Sequence, residues 1–525
     1  MSIDPERWPA LHPFLFGLFP VLFFFSQNAG QLDYGDLTIP ILFAVGLAAF
    51  CLVVGRVIYR SWRKGAIVAS LAVILFFSYG HTYSVLQSEL GVTIVRHRYL
   101  LPLWTGLFAI GAYAILRAQR GLRGTTGFLN VAAVAVVVMP LLQIGVQETT
   151  VLRNEKTEQW EGDLEEDLLQ PTTDSLPNIY YIVPDAYVSS KSLSKIYGYE
   201  NDIFVSFLEE SGFYVAEESL ANYPRTRLSL PSSLNFNYLD SANIDTYTKS
   251  KRAIKDNKII RIFERGGYET VNIDSGFRLT HENPNADKNV ICEGEYIQSQ
   301  FLRKFTDTTI LRPFIRKMGL IKGWSGCVKQ VLDNLEKLEA KEPHFVFAHF
   351  IAPHGPHRYS LEDLEKDSGK NKKEDYNYVD EVEYINERLK NIIKNIKEKN
   401  DRKNVIIIQS DHGNNKTFER PSSEYPPHIP SDTLLNEVMS IFNAYHLPGE
   451  CKDRLYETIT PVNSFRIVLN CYFGTDLRLL PDRAFYVSWD RKSKFNYETY
   501  QYQEVTDSAR WRPAEQDSTL REASN

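Results

Sequence analysis

Cysteine is scarce in this chain, at five residues in 525. That excludes a small scaffold held together by a dense disulfide framework. Cys51 falls in an apolar run. Cys292, Cys327, Cys451 and Cys471 fall in the polar remainder, where two disulfides and free buried thiols are both open readings. An excess of basic residues is also missing. Residues 1–150 hold 10 Lys and Arg against 6 Asp and Glu, a net of +4, whereas the rest holds 49 against 59, a net of −10. So acidic a domain is not built for nonspecific nucleic-acid binding, and no nucleic-acid partner is expected. No internal repeat is visible.

Charge is nearly absent from five stretches, 11–26, 37–58, 66–87, 98–116 and 127–146. The second, third and fifth are long enough to cross a hydrocarbon core, which needs about 20 residues. The first is short and holds Pro13 and Pro20, and no small-residue cleavage site marks it as a signal peptide. Basic residues sit in alternate connections: Arg56, Arg60, Arg63 and Lys64 after the second run, and Arg117, Arg120 and Arg123 after the fourth. The connection Gln27 to Asp36 has no Lys or Arg. Arg96 and Arg98, after the third run, run against this pattern. The positive-inside rule places the N-terminus in the cytoplasm, and five crossings place everything after Gln147 outside it. The expected organisation is a five-helix transmembrane domain over 1–147 in the plasma or inner membrane. A juxtamembrane linker over 148–177, with a polar helix over 154–169, follows. An extracytoplasmic catalytic domain over 178–488 and a polar, partly disordered tail over 489–525 complete the chain.

From Asn178 onward strand and helix patterns alternate. Strands are expected at 178–183, 268–274, 344–351, 404–409 and 437–442, and helices at 201–211, 328–341, 377–398 and 460–472. Alternation of this kind argues for an α/β domain with a mainly parallel sheet flanked by helices. The charged stretch Glu365–Asp375 reads as a solvated loop.

Three strands end in groups able to hold a metal or move a proton. The run Asn404-Val-Ile-Ile-Ile-Gln-Ser-Asp-His-Gly413 sets Asp411 beside His412 at a strand's C-terminal edge, where open α/β sheets place ligands. Two adjacent ligands do not make a site by themselves. Pro177-Asn-Ile-Tyr-Tyr-Ile-Val-Pro-Asp ends in Asp185, although Asp after Pro is commonly a turn or cap. His344-Phe-Val-Phe-Ala-His-Phe-Ile-Ala-Pro-His-Gly-Pro-His runs into His354 and His357. Arg225-Thr-Arg-Leu-Ser-Leu-Pro-Ser-Ser crowds hydroxyls at what reads as a helix entrance, usually a cap but also a place that favours anions. His428 sits in the Pro-rich Tyr425-Pro-Pro-His-Ile-Pro430 and is a further ligand or substrate contact, or an incidental loop residue.

The order of these pieces resembles the alkaline phosphatase superfamily, in its sulfatase-like branch, over roughly residues 177–475. Five spans plus an outer domain are similar to the membrane-anchored phosphoethanolamine transferases and lipoteichoic-acid synthases. The resemblance implies a divalent metal ion, zinc or manganese, with magnesium or calcium as alternatives, held by Asp185, Asp411, His412 and the Thr226 hydroxyl. It implies Thr226 as nucleophile, His354 as the group that binds phosphoryl oxygens or protonates the leaving alcohol, and Arg225, Arg227, His354, His357 and His428 as substrate contacts. Sulfatases proper carry Cys- or Ser-x-Pro-x-Arg where this chain has Thr226-Arg-Leu-Ser-Leu, which disfavours sulfate-ester hydrolysis. The transferases usually have Glu where this chain has Asp185, and no clear Asp-x-x-x-His lies between Asp185 and Asp411.

The implied chemistry is displacement at phosphorus through a phospho-threonine, since a bound divalent ion lowers the pKa of a hydroxyl. The expected function is transfer of a phosphoethanolamine- or phosphoglycerol-type headgroup from a membrane lipid to an envelope glycan or lipid. A tethered hydrolase of phosphate or sulfate esters and an inactive binding protein that kept the fold are the alternatives. Ser229, one helical turn from Thr226, is the rival nucleophile.

Overall fold

The computed structural model describes residues 10–28, 32, 34–90, 96–118, 122–155, 176–239, 247–292, 300–318, 325–341, 343–355, 361, 377–399, 402–414, 430–488 and 501–511. The expected polar helix over 154–169, the loop 365–375 and much of the tail lie mainly or wholly outside them. The chain divides into two compact units: Met1–Trp160 with Glu295–Lys322, and Glu161–Gly294 with Gly323–Asn525.

The first unit is built on five helices, α1 (His12–Ser26), α2 (Thr38–Tyr59), α3 (Trp62–Leu90), α4 (His97–Arg117) and α5 (Leu122–Glu155). Four helical stretches, Tyr34–Tyr59, Trp62–Gln87, His97–Arg117 and Leu122–Val146, are long and apolar enough to cross a membrane, whereas α1 is shorter and contains Pro20. Large apolar side chains such as Leu42, Phe50, Val57, Ile110, Phe128 and Leu142 face outward, as expected of lipid-facing surfaces. Between the helices, Val21, Phe25, Ala44, Ala48, Val73 and Phe77 form a core. Small residues allow α2 and α3 to meet: a Cβ on Gly55 falls 2.8 Å from the Gly65 backbone.

The segment 295–322, expected to belong to the outer domain, groups instead with these helices. Its Phe305 joins their core and meets the rings of Phe24 and Phe77. The Gly80 amide donates to the Thr308 carbonyl (2.8 Å), and the Ile310 amide donates to the Phe76 carbonyl (3.0 Å). Phe76 carbonyl and Gly80 amide are the two groups an α-helix pairs with each other. A Cβ on Gly80 falls 2.2 Å from the Asp307 carbonyl oxygen, so only glycine admits this approach.

The second unit holds a seven-stranded sheet of order β2-β7-β6-β1-β5-β3-β4. The strands are β1 (Asn178–Asp185), β2 (Tyr214–Val215), β3 (Glu269–Ile273), β4 (Lys288–Val290), β5 (His344–Pro353), β6 (Asn404–Gln409) and β7 (Asn443–His446). β6, β1, β5, β3 and the edge strand β4 pair in parallel, and β7 pairs antiparallel with β6 and β2. β1, β5 and β6 are buried along their whole length, which is why they read as apolar runs without alternation.

Helices cover both faces. α6 (Ser190–Tyr197), α7 (Asp202–Glu210), α13 (Ser325–Glu336) and α14 (Tyr378–Lys399) pack on Tyr180, Ile182, Val346, Ala348, Ile406 and Ile408. α8 (Thr226–Leu234), α10 (Lys258–Arg265) and α16 (Pro461–Tyr472) pack on Ile179, Tyr181, Val183, Phe345, Phe347, Val405 and Ile407. The other helices are α9 (Tyr247–Lys255), α11 (Gln300–Asp307), α12 (Arg312–Met318), α15 (Asp432–Met439) and α17 (Thr506–Ala509). The expected strand 437–442 is a correction: Asp432–Met439 is helical and the strand starts at Asn443. Part of the expected irregular tail is also ordered, because β9 (Gln501–Glu504) pairs antiparallel with β8 (Phe485–Ser488). Disulfides join Cys292 to Cys327 and Cys451 to Cys471, with Cα–Cα distances of 5.7 and 5.9 Å, and Cys51 is free.

Candidate active site

Parallel pairing in register brings the C-terminal ends of β6, β1 and β5 side by side. β1 ends at Asp185, the turn after β6 carries Asp411 and His412, and His354 follows β5. Ligand atoms of Asp185, Asp411 and His412 all lie within 4.8 Å of one another. His412 Nε2 stands 3.4 Å from Asp185 Oδ1 and 3.5 Å from Asp411 Oδ2. All three residues are buried.

The local backbone holds these groups in place. The Asp411 carboxylate accepts from the His412 amide (2.9 Å) and the Ala186 amide (3.3 Å) through Oδ1, which turns Oδ2 toward the cluster. Ala186 sits at φ +65°, and its carbonyl accepts from the Tyr378 hydroxyl (2.7 Å). The Ser410 hydroxyl ties the β1 and β6 turns together, donating to the Pro184 or His412 carbonyl and accepting from the Tyr187 amide. Gly413 is required by close approach: its amide donates to the Val438 carbonyl (2.7 Å), and an added Cβ falls 2.1 Å from the Glu437 carbonyl oxygen. His412 Nδ1 lies 2.7 Å from the Gly413 carbonyl, so it carries the proton and leaves a lone pair on Nε2.

Thr226 is the first residue of α8, after an extended Arg225. Its Oγ lies 3.3 Å from His412 Nε2. Ser229 lies buried in the same helix, and its Oγ has no hydrogen-bond partner among the described residues. Arg225 and Arg227 flank Thr226 and are half-buried. His354 is half-buried, with its ring centroid 6.3 Å from that of His412. His357 and His428 lie outside the described residues.

A residue that the sequence reading passed over stands at the same edge. His349, fully buried in β5, points Nε2 to 3.9 Å from Asp185 Oδ2, while Nδ1 pairs with the Thr280 hydroxyl at 2.9 Å. Burial lowers its pKa to about 4, so the ring is neutral. Its one local signal was a polar residue inside an otherwise apolar strand.

The donor set fits a divalent cation. Among the described residues, Asp185 Oδ1 and Asp411 Oδ2 are buried without a hydrogen-bond partner. Burial and the neighbouring Asp411 charge raise the Asp185 pKa well above the carboxylate range, against the lowering effect of His412. Two buried carboxylates this close call for a positive charge between them. Carboxylate oxygen with imidazole nitrogen suits zinc and other borderline first-row ions.

A family model for the sulfatases matches residues 178–440. No curated protein matches the chain. Among solved structures, the chain is similar to the C-terminal periplasmic domain of EptC from Escherichia coli in complex with Zn. That match has 13% identity and a TM-score of 0.40, and covers 63% of this chain and 94% of that one. It is also similar to the integral membrane lipooligosaccharide phosphoethanolamine transferase A from Neisseria meningitidis, at 14% identity and a TM-score of 0.36, covering 88% and 95%. A third is an alkaline phosphatase superfamily protein from Vibrio parahaemolyticus, at 11% identity and a TM-score of 0.37, covering 66% and 82%.

Proposed function

The chain belongs to the sulfatase family and is an enzyme of the alkaline phosphatase superfamily; from that premise we propose that it transfers a phosphoryl-linked headgroup through Thr226. The donor is a membrane phospholipid, and the acceptor is a hydroxyl of an envelope glycan or lipid. The transferred group is of the phosphoethanolamine or phosphoglycerol type. The observation that carries the reading is the position of Thr226 Oγ, 3.3 Å from His412 Nε2, beside two buried carboxylates. A hydroxyl placed against a candidate metal cluster suits a nucleophile better than a helix cap.

Asp185, Asp411 and His412 hold the ion, zinc or manganese in this reading, with Thr226 Oγ beside it. When bound, a divalent ion offsets the carboxylate charge and acidifies a neighbouring hydroxyl. Thr226 Oγ releases its proton to solvent and bonds to phosphorus, and the bond from phosphorus to the lipid alcohol breaks. His354 delivers a proton to that alcohol. Arg225 and Arg227 hold the phosphoryl oxygens, with His357 and His428 as further substrate contacts. The acceptor oxygen then bonds to phosphorus and gives its proton to His354, the bond from phosphorus to Thr226 Oγ breaks, and Thr226 regains a proton from solvent. In the same reading residues 1–147 are the transmembrane domain in the inner membrane, 148–177 a linker and 178–488 the catalytic domain outside the cytoplasm, followed by a tail over 489–525.

Mass spectrometry of the purified protein after incubation with membrane lipids tests this. The expected result is a headgroup-phosphate adduct on Thr226 that disappears on adding an acceptor. Asp411→Ala is expected to lose both the adduct and the metal while keeping the fold, since a core this large does not need an ion to form. No adduct under single-turnover conditions, or unchanged metal content in Asp411→Ala, overturns the reading.

A further inference from the structure

Arg96 and Arg98 run against the charge pattern that orients the membrane helices, and the proposed reaction does not use them. Both are exposed, at the start of α4. Between them, the His97 ring stacks on Tyr83 at 4.0 Å with 10° between the planes. His97 Nδ1 also meets the Tyr79 hydroxyl at 2.8 Å. On the other side of this stack stands a third cation. The Arg312 guanidinium lies 4.8 Å from the Tyr83 ring centroid and donates to the Ser84 hydroxyl (2.7 Å). It arrives on the 295–322 segment, which belongs to the same unit.

At the end of α3, Arg312 thus sits on the aromatic stack, while Arg96 and Arg98 flank the stacked His97 in sequence, the Arg98 guanidinium lying 4.8 Å from the centroid of the exposed Tyr99 ring and donating to its hydroxyl (2.8 Å). Among the described residues none of the three has a carboxylate within ion-pair distance, and Arg312 Nε is buried without any partner. The stack marks a depth. Tyr79, Tyr83, Tyr99 and Trp104 gather where α3 leaves its apolar span and α4 enters its own, and Tyr and Trp favour the membrane–water interface. This is the membrane face opposite the Arg56–Lys64 turn. The abundant anion at that depth is lipid phosphate, and guanidinium binds phosphate through paired, charge-assisted hydrogen bonds.

We propose that Arg96, Arg98 and Arg312 form a seat for the phosphate of an anionic phospholipid. A zwitterionic headgroup brings its own cation toward three guanidiniums and is disfavoured. Free phosphate lacks acyl chains to lie along the adjoining apolar surface, where Phe314 is exposed. The site lies within the membrane unit and stands whether or not the metal cluster transfers a headgroup.

The test uses the full chain in nanodiscs of equimolar phosphatidylglycerol and phosphatidylcholine. The protein is released into detergent, and retained lipid is counted by mass spectrometry. The wild type is expected to retain phosphatidylglycerol over phosphatidylcholine by about tenfold, the discrimination that one charge-assisted contact provides. Arg312→Ala and the double variant Arg96→Ala/Arg98→Ala are each expected to bring retention close to parity. The double variant alters only exposed side chains, so its folding is secure even if Arg312→Ala misfolds. Equal enrichment in the wild type and the double variant overturns the proposal. So does loss of the lipid to inorganic phosphate in the wash, which identifies a site for free phosphate.

Discussion

Two hydroxyls on α8 compete for the nucleophile's role, and they differ in what they reach. Thr226 Oγ meets His412, whereas Ser229, one turn later, has no polar partner among the described residues. Thr226→Ala is expected to lower turnover by roughly a thousandfold or more, as when covalent nucleophiles are removed. Ser229→Ala should cost far less, because it deletes a hydroxyl that has no hydrogen-bond partner among the described residues. Steady-state rates on a lipid phosphodiester decide between them, and near-normal turnover in Thr226→Ala ends the covalent mechanism. A second residue-scale expectation concerns pH. His281 Nδ1 lies 2.8 Å from Asp274 Oδ1, and that hydrogen bond raises the His281 pKa against the effect of burial. A pKa raised by folding adds stability that is fully present below the unfolded value and lost as pH rises through the folded one. The melting-temperature advantage of the wild type over His281→Gln is therefore expected below about pH 6.5 and to shrink on going to pH 9. An advantage that grows with pH contradicts the assignment.

Elements differ in how far local sequence foretells them. β1, β5 and β6 are buried on both faces, so their apolar runs and the polar residues ending them were readable one strand at a time. Asp185, Asp411 and His412 were legible for that reason. The stretch 437–442 misled because Val438, Met439, Ile441 and Phe442 are all buried, yet the first two close a short helix and the others precede β7. A run of four to six buried residues carries too little periodicity to separate helix from strand. His349 was missed because its role depends on Asp185, which lies far away in sequence and reaches it only through β1–β5 pairing. At this scale the contact of α3 with the 295–322 segment is open to test. Gly80→Val should displace the segment, since even a Cβ meets backbone there, whereas Gly106→Val should not, as nothing lies within 4 Å of a Cβ at Gly106. Limited proteolysis within 300–318 is expected to quicken in the first variant and stay at the wild-type rate in the second. Equal rates in both refute the docking.

For the whole molecule, the split into an apolar helical part and an acidic α/β part was visible in composition. The allegiance of residues 295–322 was not. A short amphipathic helix such as Gln300–Asp307 says that one face is covered, and nothing in its own residues says by what. The orientation proposed for the membrane helices rests on the basic connections. A periplasmically active reporter such as alkaline phosphatase, fused after Gln147, is expected to be active, and a reporter that works only in the cytoplasm inactive. The reverse result inverts the topology.

The chain passes between its two units three times, after Trp160, Gly294 and Lys322. A catalytic head held by one stalk is shed when the stalk is cut. Here a nick engineered within 156–175 leaves the fragment that follows still carrying its own anchor, with Phe305 in the helical core and the backbone around Thr308 bonded to α3. That fragment is expected to sediment with the membranes through a high-salt wash, and the same nick in Gly80→Val should release it to the supernatant. For the same reason, secreting residues 178–525 alone leaves an apolar foot without its socket, and aggregation is the expected outcome unless 295–322 is replaced by a short polar loop.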